Sequence, residues 1–149
     1  AIDQNVVVIN SSIDSRCSNE IKTHDNNTFS AIKIRKLMDL QIDEKVNVIA
    51  IDEAQFFEDL FQFVKKHERK NIVILIAGLD GDYNRNVFGE ILKCIPLCNS
   101  VTKLSAMCNI CKDGTPGLFS KRKVDNSNET ILVGAFSEYL SVCRKHYLN

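Results

Sequence analysis

Four residues near the carboxyl end of the chain have the types and the spacing of metal ligands. Cys108 and Cys111 form a C-x-x-C pair, and Cys143 and His146 repeat the same offset further along. Three thiolates and one imidazole are a ligand set that Zn²⁺ takes in closed tetrahedral sites. The main alternative, a redox-active C-x-x-C, needs a thioredoxin-like context that this sequence lacks. The pattern predicts a structural zinc site in a reducing compartment.

A pair of acidic residues, Asp52 and Glu53, follows the apolar run Val48–Ile51. In open α/β sheets, ligands bind beyond the carboxyl ends of the strands. Two carboxylates are costly there unless they hold a cation or move a proton, as the acidic motif of phosphate-loop NTPases does. The alternative is a strand that simply ends in polar residues. The partner motif of that class, G-x-x-x-x-G-K-[ST], does not occur in the sequence.

Apolar patterns predict the elements that position these groups. Val6–Ile9, Val46–Ile51 and Ile72–Ala77 favour buried strands. Phe29–Leu40 and the stretch from Phe56 to Val64 have helical periodicity. Strands that alternate with helices and are apolar throughout predict a parallel sheet that is covered on both faces.

The pattern changes after Pro96, where short segments and turn residues replace the long apolar runs. Asp125–Asn128 is predicted to be a hairpin turn between strands at Leu118–Val124 and Thr130–Val133. The chain is therefore divided near residue 100, into a core domain over 1–100 and a zinc-binding domain over 101–149.

The remaining polar stretch and cysteines carry less signal. Asn10–Thr28 is polar and is predicted to be a loop. Cys94 and Cys98 flank Pro96 and are predicted to be small buried hydrophobic side chains, and Cys17 gives no further signal.

Composition excludes several classes of function. The chain has 149 residues, with 19 Lys and Arg against 19 Asp and Glu. A net charge of zero argues against nucleic acid or an anionic membrane as the main partner. The longest uninterrupted apolar run, at 72–77, is too short to span a bilayer.

Several motifs, in the same order along the chain, resemble the cellular and viral type of thymidine kinase. They are D-E-A-Q-F-F at 52–57, A-G-L-D-G-D-Y-N-R at 77–85 with F-G at 88–89, D-S-R at 14–16, T-H-D at 23–25, K-L-S-A-M-C at 103–108 and Y-x-x-x-C-R at 139–144. The similarity runs from about Val6 to Tyr147. The fold that it implies is α/β, a P-loop NTPase-like parallel sheet with a small zinc-held lasso domain.

The resemblance implies transfer of the γ-phosphoryl group of ATP to the 5′-hydroxyl of thymidine. It implies that Glu53 is the general base and that Asp52 holds the Mg²⁺ that accompanies ATP. It also implies that Arg16 stabilises the negative charge of the transferred phosphoryl group. The implied ATP-binding residues are Asp14, Ser15, Arg16, Asp52, Glu53, Ala54 and Gln55. The implied thymidine-binding residues are Phe56, Leu79, Tyr83, Phe88, Arg122, Thr130, Ile131, Leu132, Val133, Gly134 and Tyr139.

Without the resemblance, the aromatic members of that set would be interpreted as core packing. The resemblance also implies a cytoplasmic homotetramer that dTTP inhibits by feedback, with no nucleic-acid or membrane partner. The family's first strand, glycine-rich loop and following helix have no counterpart in the sequence. The chain is accordingly expected to be a truncated and nearly inactive piece of the kinase, or else a degenerate homologue.

Three alternatives remain beside the kinase. A pseudoenzyme that binds thymidine nucleotides fits the missing glycine-rich loop. A zinc-ribbon binding module explains the four metal ligands but not the acidic strand end. A helicase would share the D-E-A-Q sequence, but the chain is too short for two motor lobes and its charge is balanced.

Overall fold

The computed structural model describes residues 5–14, 20–22, 27–123 and 139–149. The chain falls into two compact units. The first comprises Ala1–Asp80 and Val87–Asn99, and the second comprises Gly81–Asn86 and Ser100–Asn149. The second unit thus takes a short segment, 81–86, from within the predicted core domain.

The first unit is built on a four-stranded parallel sheet. Its described elements are β1 (Val6–Ser11), β2 (Glu20–Lys22), β3 (Thr28–Ser30), β4 (Ile32–Ile34), β5 (Val48–Asp52), α1 (Leu60–His67), β6 (Val73–Ile76) and α2 (Ile91–Cys94). Three of the predicted runs form β1, β5 and β6, and the strand order is β4-β1-β5-β6. Single turns of 3₁₀ helix lie at Leu37–Asp39 and Ala54–Phe56 between strands, and at Ile95–Leu97 after α2.

One face of the sheet forms the hydrophobic core. The register aligns Ile9 with Ile51 across β1 and β5, and both side chains are buried. Leu60 and Phe63 of α1 belong to the same core cluster. The connections from β4 to β5 and from β5 to β6 cross the sheet in the same direction. Because parallel crossovers are right-handed, both connections lie on this face.

The opposite face is more exposed than the sequence predicts. Val6 is 52% exposed, Val73 55% and Leu75 56%. The prediction of a sheet covered on both faces is therefore wrong for the part of the chain that the structure describes. The physical reason is that α1 and α2 both pack on the isoleucine face, as their membership of one core cluster shows.

The predicted helix over Phe29–Leu40 is also wrong. β3 and β4 occupy the first half of this stretch, and only Leu37–Asp39 forms a turn of 3₁₀ helix. Ile32 and Ile34 alternate with a polar residue and pair in parallel with β1. β-Branched residues at every second position favour a strand here, although Leu37 and Leu40 extend the apolar pattern to a helical spacing.

The predicted loop over Asn10–Thr28 contains strand structure at both ends. Asn10 and Ser11 complete β1, and β2 pairs antiparallel with β3. Residues 15–19 and 23–26 lie outside the described residues. Further along, α1 begins only at Leu60, because the chain first forms the 3₁₀ turn at Ala54–Phe56.

The two cysteines that flank Pro96 differ from one another. Cys94 is buried, its thiol contacts the carbonyl of Glu90 at 3.6 Å, and burial raises the pKa of this thiol. It behaves as the predicted small hydrophobic side chain. Cys98 is exposed, so the prediction of a buried residue is wrong there.

The second unit contains two small antiparallel pairs and a terminal helix. β7 pairs with β8, and β9 pairs with β10 with Tyr139 opposite Arg122. The predicted turn at Asp125–Asn128 and the predicted strand at Thr130–Val133 lie outside the described residues. The elements are β7 (Ala106–Met107), β8 (Pro116–Gly117), β9 (Phe119–Arg122), β10 (Tyr139–Val142) and α3 (Arg144–Leu148).

Among the described residues, none of the helices has the length and apolar character that crossing a bilayer requires.

Candidate active site and metal centre

The acidic pair lies where the sequence predicts, at the carboxyl end of β5. Asp52 is the last residue of the strand and aligns with Asn10 of β1. Glu53 follows with φ 50° and ψ 42°, in the left-handed region. A residue with a Cβ is uncommon there, and such strain of about 1–3 kcal/mol gathers at functional sites. The left-handed turn changes the direction of the chain directly after Asp52.

Gln55 links Glu53 to the loop after β6. Its Nε2 donates to Glu53 Oε2 at 2.6 Å, and its Oε1 accepts from the backbone N–H of Leu79 at 3.0 Å. Gln55 is only 4% exposed. Because both ends of the amide are engaged, the Glu53 carboxylate is connected to the end of the neighbouring strand.

Two glycines allow the loops to approach Gln55 closely. A Cβ on Gly78 would lie 2.4 Å from Gln55 Oε1 and 2.9 Å from the backbone nitrogen of Ala54. A Cβ on Gly89 would lie 2.3 Å from the carbonyl oxygen of Gln55, and Gly89 has φ +65°. Only a residue without a side chain fits either position without displacing backbone.

Asp14 lies at the carboxyl end of the neighbouring strand β1 and is buried. Its Oδ2 accepts from Asn10 Nδ2 at 3.2 Å, and its carbonyl oxygen accepts from Lys33 Nζ. Sequence reasoning missed Asn10 and Lys33. The available signal was a polar residue directly after the apolar run Val6–Ile9. Ser15 and Arg16 lie outside the described residues.

Three of the predicted thymidine-binding residues belong to the first unit. The rings of Phe56 and Phe88 pack edge to face with centroids 5.6 Å apart. Leu79, which donates its backbone N–H to Gln55, is half exposed. The edge-to-face contact is as consistent with packing as with binding, so the role of these residues remains a prediction.

Three other predicted thymidine-binding residues come together in the second unit. The rings of Tyr83 and Tyr139 have centroids 6.3 Å apart, and the Arg122 guanidinium lies 5.4 Å from the Tyr83 ring centre. Tyr147, which sequence reasoning missed, donates its hydroxyl to the Tyr83 carbonyl at 2.7 Å. The predicted residues outside the described ranges are Thr130, Ile131, Leu132, Val133 and Gly134.

The four predicted metal ligands form one cluster in the second unit. Their donor atoms all lie within 4.8 Å of one another. The Nδ1 atom of His146 is 3.4 Å from the sulfurs of Cys111 and Cys143 and 3.6 Å from that of Cys108. The sulfurs of Cys111 and Cys143 are 3.8 Å apart.

These separations match the edges of a zinc tetrahedron. Bonds of about 2.3 Å to sulfur and about 2.0 Å to nitrogen give edges of about 3.8 Å between sulfurs and about 3.5 Å from sulfur to nitrogen. The three sulfurs and the imidazole nitrogen can therefore hold zinc with little rearrangement.

Local backbone structure builds the metal cluster. The N–H of Cys108 donates to the Thr115 carbonyl at 2.7 Å, and the N–H of Cys143 donates to the Cys108 sulfur at 3.3 Å. Cys143 precedes α3 and His146 lies within it, so one helical turn brings the two ligands together.

Two thiols of the cluster have unequal acidities. Burial opposes ionisation of Cys108, but backbone N–H groups of Cys111, Cys143 and Ile110 and the His146 side chain outweigh it and lower the pKa of Cys108 to about 6. Burial, together with hydrogen bonds to the Cys108 and Cys143 thiols, raises the pKa of Cys111 to about 11. The Cys108 thiolate thus forms readily, whereas Cys111 needs a nearby cation to ionise at neutral pH.

The fold and the two sites define a class of protein. It is an α/β protein with two acids at the carboxyl edge of a parallel sheet and a Cys₃His cluster that can hold a metal. A family model described as thymidine kinase matches residues 1–147. The chain belongs to the thymidine kinase family.

Similar proteins carry the same name. A thymidine kinase of Oryza sativa subsp. japonica is 42% identical over 98% of this chain and 56% of its own length. A thymidine kinase of Myxoma virus (strain Uriarra) is 41% identical over 95% of this chain and 78% of its own length. Thymidine kinase a of Arabidopsis thaliana is 40% identical over 97% of this chain and 63% of its own length. The chain thus spans little more than half of the rice relative.

Proposed function

We propose that the whole protein transfers the γ-phosphoryl group of ATP to the 5′-hydroxyl of thymidine, giving dTMP. The observation that carries the proposal is the Glu53 carboxylate at the carboxyl edge of the sheet, held by Gln55 in a chain that belongs to this family. In parallel α/β sheets this edge is where ligands bind.

Glu53 is the general base of the proposed reaction. It accepts the proton of the 5′-hydroxyl while that oxygen bonds to the γ-phosphorus. The bond from the γ-phosphorus to the bridging oxygen breaks, and ADP leaves. Phosphoryl transfer needs chiefly positioning and charge stabilisation, so a held carboxylate suits the task.

Asp52 is the proposed residue for Mg²⁺ with ATP. Its carboxylate is half buried at the end of β5, beside Asn10, and hard oxygen donors of this kind suit Mg²⁺. The ion, when bound with ATP, neutralises phosphate charge. Asp14, Ser15, Arg16, Ala54 and Gln55 complete the proposed ATP-binding set.

Zinc is proposed to be structural, since all four positions of its tetrahedron are filled by Cys108, Cys111, Cys143 and His146. The family resemblance further supports feedback inhibition by dTTP, assembly as a homotetramer and a cytoplasmic location.

Steady-state turnover tests the proposal. The full-length protein with Mg²⁺, labelled ATP and thymidine should yield labelled dTMP, and deoxycytidine should give far less product. The melting temperature should rise with dTTP but not with dCTP, because a ligand at about 100 times its Kd adds about 2.7 kcal/mol to stability. A dTTP shift without any turnover would support the pseudoenzyme. No turnover and no shift would overturn the proposal.

A further inference from the structure

Gln55 occupies a position between the proposed base and the neighbouring strand end. Its side chain spans from the Glu53 carboxylate, at 2.6 Å, to the N–H of Leu79, at 3.0 Å. The amide makes both bonds while nearly inaccessible to solvent. A buried amide in two opposed hydrogen bonds has one orientation, since rotation would place its oxygen against a carboxylate.

The surroundings of Gln55 prevent it from moving aside. Gly78 lies against its side-chain oxygen and Gly89 against its backbone carbonyl, each closer than any Cβ would permit. The backbone N–H of Ala54, next to Gln55, donates to the Ala77 carbonyl at 3.0 Å. The loop that follows β6 thus fixes the side-chain amide of Gln55, and the segment before α2 fixes its backbone.

Glu53 needs such a partner. Its left-handed backbone directs the chain away from the line of β5, and a free glutamate side chain has several rotamers. A donor at 2.6 Å restricts the carboxylate to one of them. The bond also leaves lone pairs on the carboxylate for the proton of a hydroxyl.

We propose that Gln55 is a positioning residue, whose amide orients the Glu53 carboxylate for proton abstraction by anchoring it to the loop at Leu79. The inference rests on the proposed function and deepens it. The side-chain amide of Gln55 acts through Glu53, because both of its ends are engaged by Glu53 and the Leu79 N–H. Its place in the proposed ATP-binding set is left to the backbone, which a substitution of the side chain retains.

The experiment compares Gln55→Met with Gln62→Met in the full-length protein. Methionine keeps the length of glutamine but removes the amide, and Gln62 is the matched control on the exposed side of α1. Gln55→Met should lower kcat by about 10- to 100-fold, since a small misplacement of a reacting group costs this much. KM for ATP should stay within about twofold, and Gln62→Met should match the wild type.

A double mutant separates positioning from general structure. In a Glu53→Gln background, Gln55→Met should reduce the residual rate by less than about twofold, because there is no base left to orient. The same loss in both backgrounds would show a structural role and overturn the inference. A kcat unchanged by Gln55→Met would overturn it as well.

A second variant keeps the test open if Gln55→Met fails to fold. Gln55→Glu can still accept from the Leu79 N–H but cannot donate to Glu53 when ionised. Its kcat at neutral pH should fall at least as far as expected for methionine, and a wild-type kcat would contradict the proposal. If the proposed function itself is wrong, the wild type gives no dTMP. That outcome differs from failure of the positioning role, in which the wild type and Gln55→Met are equally active.

Discussion

At the scale of single residues, the site depends on one strained position. Glu53 is the proposed base, a role that the family resemblance implies, and its left-handed backbone is the feature that the sequence does not reveal. The strain places its carboxylate within 2.6 Å of Gln55, two residues ahead in the chain. A strained backbone conformation persists only where the surrounding structure holds it in place. The hydrogen bonds of Gln55 to Glu53 and to the Leu79 N–H hold this one.

Replacement of Glu53 by glutamine should remove catalysis without unfolding the protein. The amide keeps the shape of the side chain but cannot accept the hydroxyl proton, so kcat should fall by about 10²- to 10⁴-fold. The matched control is Glu58→Gln, because Glu58 is exposed and follows the D-E-A-Q-F-F motif directly. A Glu53→Gln enzyme with more than a tenth of the wild-type kcat would contradict the role of general base.

At the scale of elements, the sequence predicts best the features that have a strong local pattern. β1, β5 and β6 are apolar, β-branched runs, and each forms a strand of the parallel sheet as predicted. The metal ligands are equally local, since both pairs have the spacing of one helical or knuckle turn. Each of these could be predicted from the sequence.

The errors have a physical origin in competing patterns. Between Phe29 and Leu40, apolar residues satisfy both a helical period and, at Ile32 and Ile34, a strand period. Ile32–Ile34 forms a strand because it pairs with β1, and no local sequence pattern reveals that pairing. The bond of Lys33 to Asp14 likewise joins residues from two different strand ends that only the fold brings together.

Alanine at the glycines tests how closely the loops must approach. Gly89→Ala should destabilise the first unit most, because its Cβ meets a carbonyl oxygen at 2.3 Å and its φ is positive. Gly78→Ala should cost about 1–3 kcal/mol by overpacking against Gln55. Gly81→Ala, whose nearest contact is the Asn86 carbonyl at 3.4 Å, should change stability by less than about 0.5 kcal/mol.

Urea unfolding measures these differences as shifts of the midpoint at constant slope. Far-ultraviolet circular dichroism monitors unfolding of the first unit in Gly78→Ala and Gly89→Ala. The tyrosine bands of near-ultraviolet circular dichroism monitor unfolding of the second unit in Gly81→Ala. Equal midpoints for Gly89→Ala and the wild type would contradict the close approach at Gln55.

At the scale of the whole molecule, the described residues of the two units differ in how many apolar side chains they bury. Nearly all of the buried apolar side chains among the described residues belong to the first unit. In the second unit the described residues in this class are Cys108, itself a metal ligand, and Val142. Because so few apolar side chains are buried among the described residues of this unit, we expect the proposed zinc to hold it, since structural zinc contributes about 10–16 kcal/mol in small metal domains.

The chain offers a natural probe for this difference. Its three tyrosines, Tyr83, Tyr139 and Tyr147, all belong to the second unit, and the sequence has no tryptophan. The tyrosine bands of near-ultraviolet circular dichroism therefore report on the second unit alone. The far-ultraviolet signal reports on the sheet of the first unit as well.

Removal of zinc should unfold the second unit before the first. A chelator should abolish the tyrosine bands, while much of the far-ultraviolet signal should remain because the apolar core of the first unit needs no metal. Cys143→Ser should reproduce this loss and should lower the zinc content from one ion per chain toward none. Cys98→Ser is the matched control, because Cys98 is exposed and lies outside the cluster, so it should keep both zinc and tyrosine bands. Tyrosine bands that survive complete chelation would show that packing alone holds the second unit, and that its four ligands do not determine its fold.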